Sequence, residues 1–414
     1  MTELTVPLAE RVQYASPGWI SEAARYLGSQ PQPLQPFSLS VELTDPPPSL
    51  VDGNDGPFGY TVRVAEGTAT VNARPTANAD LCLRHDYNAA LPFAWTSDGD
   101  REAAERAHRE YTFVLGAPQV TGALPKDPAI EALLSDFHSH MARRTVNNPD
   151  IRHRARTLGL NDNIADLDDK GYTVMHDAFT AELADELRAE TRRNHAAAPA
   201  DSGFRATMLL RRGRLWEYAA VHPWVLTLAE YLLGRGCVMY QSDTIVKGPG
   251  LDTHPGLHAD YGASRVAEPF PEYCLEATAV WAIDDFDRAA GPTVIVPGSF
   301  RNRRQVPPGT TREDCVTIEM PKGSIAFWHG ASWHGAMPRT APGTRSSLHN
   351  AYVRFFMRPL ERYDDIDQAI IDRNPPVFST ICGLDDLFGK SGDTGADFER
   401  MRYASEAGYG RTEL

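Results

Sequence analysis

His258 and Asp260 flank one alanine in the stretch GLHADYG. On a strand, residues i and i+2 share a face about 6.5 Å apart, so such a pair can offer an imidazole nitrogen and a carboxylate oxygen to one ion. The same pair can also be a plain hydrogen-bonded contact, or a coincidence. A metal would need a third ligand from another part of the chain. The segment GSIAFWHGASWHGAMPRTAPGTRSSLHNAY, residues 323–352, holds two candidates, His329 and His334, each followed by glycine. Two histidines and a carboxylate leave half of an octahedral shell open, the pattern of non-haem Fe(II) oxygenases. Zinc accepts the same three ligands with an activated water, so spacing alone leaves the metal open.

These residues need rigid elements behind them. After about residue 237 the chain becomes short apolar runs broken by turns, among them CVMYQSDTIV, LEATAVWAID, TVIVPGS, VTIEM, IAFWH and RSSLHNAYVRFF. Many short strands at this spacing predict a sandwich or barrel, and a roll of about eight strands fits the length. Ahead of it, Gly171–Met175 reads as a strand and Thr180 as the cap of a helix with Leu183 and Leu187 on its apolar stripe. A further helix is expected over Pro223–Gly234.

The first 145 residues read as a separate small α+β domain. It contains a hairpin, GYTVRVAEGTATVNA, a strand at ADLCLRHD, a short VTGAL segment and an amphipathic helix over 127–144 capped by Asp127. That order loosely resembles sterol-carrier-protein-like lipid-binding domains, which would imply an apolar tunnel. Residues 146–165 are polar and mixed and read as a linker, and 166–414 as the second domain, with a helical and irregular wrap beyond 361.

Composition narrows the function. The chain has 414 residues and a formal charge of −14, which argues against a broad nucleic-acid surface. Arg211-Arg212-Gly213-Arg214 and Arg301-Asn302-Arg303-Arg304 are short basic clusters that read as solvated faces. Five scattered cysteines, with no C-x-x-C, imply neither a disulfide framework nor a thiolate zinc site. No apolar run reaches the length of a membrane span, and MTELTVPLAERVQ lacks the pattern of a secretory signal. A cytoplasmic enzyme with a small-molecule substrate is expected.

Four stretches in order resemble the phytanoyl-CoA dioxygenase family of Fe(II)- and 2-oxoglutarate-dependent oxygenases, over residues 166 to about 360. They are DDKGYTVMHDAFTAELADELR, KGPGLDTHPGLHADYG, AVWAIDDFDRAAGPTVIVPGSF and KGSIAFWHGASWHGAMPRTAPGTRSSLHNAY. Phe300, where histidine is usual, and Ala290, where asparagine is common, depart from the pattern at positions that do not ligate metal in the family. The resemblance implies a double-stranded β-helix, of jelly-roll or cupin type, with flanking helices. It implies Fe(II), 2-oxoglutarate and O2 as cofactor and cosubstrates, His258, Asp260 and His334 as metal ligands, and Arg345 as the clamp on 2-oxoglutarate. Arg345 follows His334 by eleven residues, with an APGT turn between, which suits two paired strands facing one cavity. Its planar fork matches a carboxylate.

Ser347 shares the face of Arg345 and can assist it; Gln241, Lys247 and Trp281 are further candidates for contact with cosubstrate or substrate. His329 is the rival third ligand, and His254 reads as a loop histidine. Related halogenases have a small residue where this chain has Asp260, so hydroxylation is expected, with desaturation, epoxidation and rearrangement open to the same oxidant. The rival readings are a hydrophobic-ligand carrier with a vestigial metal site, a zinc hydrolase or isomerase, and an Fe(II) enzyme that does not use 2-oxoglutarate.

Overall fold

A computed structural model describes residues 12–33, 35–51, 56–95, 116–146, 151–197, 205–249, 256–262, 265–384 and 398. His254 lies outside them. The described chain divides into two compact units, the first reaching Leu158 and taking in Asp365–Thr380, the second holding Gly159–Asp364 and Ile381–Gly383.

In the first unit, β1 (Val12–Gln13) pairs in parallel with β7 (Thr145–Val146). The main sheet has five strands: β2 (Phe37–Thr44), β3 (Gly59–Ala65), β4 (Thr68–Asn72), β5 (Leu81–Asp86) and β6 (Gln119–Gly122), in the order β4-β3-β2-β5-β6. The hairpin expected from alternation is β3–β4, and β2 pairs in parallel with β5. The helix Pro128–Ala142 starts at Asp127, whose carboxylate accepts from Ala129 N at 2.9 Å. Trp19, Tyr60, Tyr87, Ile130 and Phe137 close the core.

The described part of 146–165 is more ordered than a linker. It carries the helix Ile151–Thr157 and the start of Asn161–Lys170. Ile151, Ala155, Leu158, Leu160 and Ile164 are buried, a stripe that the intervening arginines and aspartates obscure in the sequence. The grouping of Asp365–Thr380 also departs from a single 166–414 domain. Ile371 and Phe378 are buried there, and periodicity shows that such residues need a core without showing which one.

In the second unit, β8 (Tyr172–Met175), β9 (Arg205–Ala206), β10 (Val238–Lys247), β11 (Glu276–Ala282), β14 (Ile325–His329) and β16 (Arg345–Val353) form a sheet ordered β8-β14-β11-β16-β10-β9. A second sheet, β13-β12-β15, joins β12 (Thr293–Ile295), β13 (Val316–Ile318) and β15 (His334–Ala336). The pairings are antiparallel, and the two sheets make the double-stranded roll that the alternating runs predict. Every residue of β11 is buried. Its inner face lines the cavity through Glu276 and Thr278, while Trp281 packs on the other side. The helix Pro223–Leu233 is apolar almost all round, as befits a helix buried against a sheet.

Candidate metal centre

The HADYG segment is not a strand. His258 makes a single bridge with His334, their backbone N–H and C=O groups exchanging bonds of 2.9 Å in each direction. Asp260 then opens a 3-10 turn, Asp260–Gly262. The two side chains converge because the backbone bends after Ala259, not because a pleat repeats. Gln305 holds that bend, its Oε1 accepting from Ala259 N at 3.2 Å. Asp260 N donates to Gly330 O at 2.8 Å. Gly330 permits that approach, since a Cβ there would stand 2.6 Å from Glu276 O and 2.9 Å from the Tyr261 ring.

Ligand atoms of His258, Asp260 and His334 all lie within 4.8 Å of one another. Asp260 Oδ1 is 3.5 Å from His334 Nε2 and 3.8 Å from His258 Nε2. Each histidine directs Nδ1 at a carbonyl, His258 at Gly256 O (3.1 Å) and His334 at Ser332 O (3.0 Å). A carbonyl can only accept, so Nδ1 carries the proton in each ring, which leaves the Nε2 lone pair for an ion. The carboxylate is oriented in the same way. Asp260 Oδ2 accepts from Thr278 Oγ1 (3.3 Å) and Trp328 Nε1 (3.2 Å), so Oδ1 faces the imidazoles. Burial pushes the pKa of His334 down, against the pull of Asp260, which keeps the ring neutral and able to ligate.

The centre opens into a cavity of about 420 Å³ between the two sheets. Arg345, at the start of β16, lines it and is 4% exposed. Its Nη1 donates to Gly291 O at 3.2 Å, and its guanidinium lies 3.9 Å from the centroid of the Phe286 ring. Its Nε is buried with no hydrogen-bond partner. Burial lowers the Arg345 pKa to about 10, with Arg339 acting in the same direction and Asp284 opposing. An orphaned guanidinium N–H in a cavity is what a carboxylate-bearing ligand would satisfy.

The other sequence candidates separate. Gln241 lines the cavity from β10. Ser347 Oγ shares a 3.0 Å hydrogen bond with His349 Nε2. Trp281 lies on the outer face of β11, its ring centroid 4.9 Å from that of Phe179 and 5.1 Å from that of His222, so it is core rather than cavity wall. Lys247 Nζ is spent on the carbonyls of Gly291 and Met337. His329 falls outside the metal cluster. Its ring lies against Phe300, and its Nδ1 accepts from Ala331 N at 3.1 Å. Burial drives its pKa down to about 3, with Arg354 adding to the shift. Thr278 and Trp328 escape a search for ligands because neither would touch the ion. The alternation in AFWH, which sends Trp328 and His329 to opposite faces, was the available signal.

The comparison with known families falls on the same elements. Residues 167–347 match the phytanoyl-CoA dioxygenase family model. The phytanoyl-CoA dioxygenase match spans β8 to the first residues of β16 and includes all three candidate ligands and Arg345. An uncharacterized protein of Mycobacterium tuberculosis and one of Mycobacterium bovis are each 21% identical over 167 residues, covering 39% of this chain and 60% of the relative. The chain thus spans about 60% of the length of the curated relatives it matches. Among solved structures, HygX from Streptomyces hygroscopicus with nickel and 2-oxoglutarate bound is 14% identical, with 52% of this chain and 95% of that one covered and a TM-score of 0.42. EctD from S. alaskensis is 18% identical, with 49% and 81% covered and a TM-score of 0.41. The non-heme alpha-ketoglutarate-dependent epimerase SnoN from nogalamycin biosynthesis is 22% identical, with 47% and 83% covered and a TM-score of 0.40.

Proposed function

We propose that the second unit is an Fe(II)- and 2-oxoglutarate-dependent oxygenase acting on a C–H bond of a small substrate. The observation that carries the reading is the convergence, in one cavity, of three oriented donors and a buried guanidinium with an unpartnered N–H. His258, Asp260 and His334 would hold the iron, and Arg345 the far carboxylate of 2-oxoglutarate. With both bound and O2 admitted, the centre supplies an oxidant while 2-oxoglutarate becomes succinate and carbon dioxide, and one oxygen atom enters the substrate C–H bond.

The protein's own part is positional. Ser332 O and Gly256 O fix the histidine tautomers, and Thr278 and Trp328 fix the carboxylate. The two sheets line the cavity, and a bound substrate that displaces water from it would strengthen each charged contact inside. Retention of Asp260 leaves no vacancy for a halide and supports hydroxylation over halogenation. Supplied anaerobically with Fe(II) and 2-oxoglutarate, then given air and a metabolite mixture, the protein is expected to release succinate and to add one oxygen to a component. Succinate release no greater than that of Asp260→Ala under every mixture would overturn the reading. The sterol-carrier-like reading of the first unit remains a proposal resting on the order of its elements.

A further inference from the structure

The cavity continues past the metal centre along β10 and β16, where Asp243 and His349 are register partners and both line it. Asp243 is 3% exposed, and its Oδ2 is buried without a hydrogen-bond partner. The nearest cation is Arg205, with Nε 3.1 Å from that oxygen, yet the N–H points off the line a hydrogen bond requires, and Arg205 Nε is itself unpartnered. Proximity gives Coulomb attraction, but Oδ2 stays without a hydrogen bond. The Arg205 side chain is 33% exposed, so water screens much of its charge, whereas Asp243 has little water to call on. Burial pushes the Asp243 pKa up to about 7, with Arg205 opposing and Glu361 reinforcing. That is the signature of a carboxylate short of a partner.

The charge balance agrees. With Asp243 ionised, the carboxylates of Asp243, Asp260 and Glu276 outnumber the guanidiniums of Arg205 and Arg345 by one among the described lining residues. A divalent metal and a dianionic cosubstrate leave that excess unchanged. Beside Asp243 the wall is partly apolar, with Ile245, Ala351 and Leu360. We infer that Asp243 is the specificity-determining residue of the substrate pocket and that the substrate carries a protonated amine or guanidinium on a short apolar body. This rests on the oxygenase reading for its account of why Arg345 is reserved for the cosubstrate. A buried carboxylate with an open lone pair gains most from a ligand that brings both charge and N–H donors.

The test uses the full chain, anaerobic, with Fe(II) and 2-oxoglutarate, and matched probes: L-arginine against L-citrulline, L-lysine against Nε-acetyl-L-lysine, and cadaverine against 1,5-pentanediol. Binding is read by calorimetry and by perturbation of the visible charge-transfer band of the loaded site. At least one cation is expected to bind roughly tenfold or more tighter than its neutral counterpart, the scale of one charge-assisted hydrogen bond. Asp243→Asn should abolish that preference while retaining the band, and Asp243→Glu should restore part of it. Equal binding of cations and neutral counterparts, binding of none of the cations, or a preference that survives Asp243→Asn would each overturn the inference. Failure of the band to form in the wild type counts instead against the oxygenase reading, and calorimetry of the same probes then still decides the role of Asp243.

Discussion

At the scale of single residues, the site depends less on which side chains are present than on where their second polar atoms go. The candidate ligand triad and Arg345 can be named from the sequence because histidine, aspartate and arginine declare their chemistry by type. Thr278 and Trp328 cannot, since a threonine and a tryptophan on buried strands look like core, and only the Asp260 Oδ2 contacts give them a role. Trp281 shows the converse, a tryptophan that is a contact candidate by type, reads most simply as core, and packs against Phe179. Trp328→Phe, which removes the 3.2 Å donor and keeps the ring, is expected to weaken Fe(II) binding by about 10- to 100-fold, as loss of an outer-shell partner does. Competition with a chromogenic chelator measures it, and unchanged affinity would remove Trp328 from the orienting set. Arg345→Lys keeps the charge and loses the fork. It should raise the KM for 2-oxoglutarate by roughly 10- to 100-fold, the equivalent of one charge-assisted hydrogen bond or somewhat more, with a smaller effect on kcat.

At the scale of elements, alternation predicted the strands well and misplaced the HADYG segment. Period-2 reasoning put His258 and Asp260 on one face of a strand, whereas a lone bridge followed by a 3-10 turn brings them together. The cue that sequence reasoning passed over was Gly330. It follows His329, which lies outside the candidate metal cluster, and its carbonyl anchors Asp260 N where no Cβ would fit. Gly330→Ala should therefore cost metal binding along with stability, although position 330 contributes no ligand. Trp281 anchors β11 against Phe179 and His222, and Trp281→Ala is expected to cost about 3–5 kcal/mol in denaturant unfolding. A cost under about 1 kcal/mol would mean that the outer layer is not packed as described.

At the scale of the whole molecule, charge and burial set the pH response. His222 and His329 are each buried, with pKa values pushed down to about 3 by desolvation, so the native protein holds them neutral. The unfolded chain takes up those protons near pH 6.5, the ordinary histidine value. Each histidine should thus contribute stability that is full above that pH and is lost as pH drops below it toward about 3, by about 1.4 kcal/mol per pH unit. Asp243, held up at about 7, acts in the opposite sense as pH falls from about 7 toward its unfolded value. Urea midpoints between pH 7.5 and 5 measure this, and His329→Gln should shallow the slope. No helix among the described residues is long and apolar enough to cross a membrane. In the sequence an α+β pattern precedes the roll, and the chain divides into two compact units with the first reaching Leu158. The allegiance of Asp365–Thr380 is not legible there, because a buried Ile371 or Phe378 carries no address in its sequence.

Anomalous diffraction at the iron edge, from crystals grown anaerobically with Fe(II) and 2-oxoglutarate, tests the central claim most directly. One peak is expected in contact with His258 Nε2, Asp260 Oδ1 and His334 Nε2, with the far carboxylate of 2-oxoglutarate on Arg345. A peak bounded by His329, or a cosubstrate whose far carboxylate lies in solvent, would contradict the account.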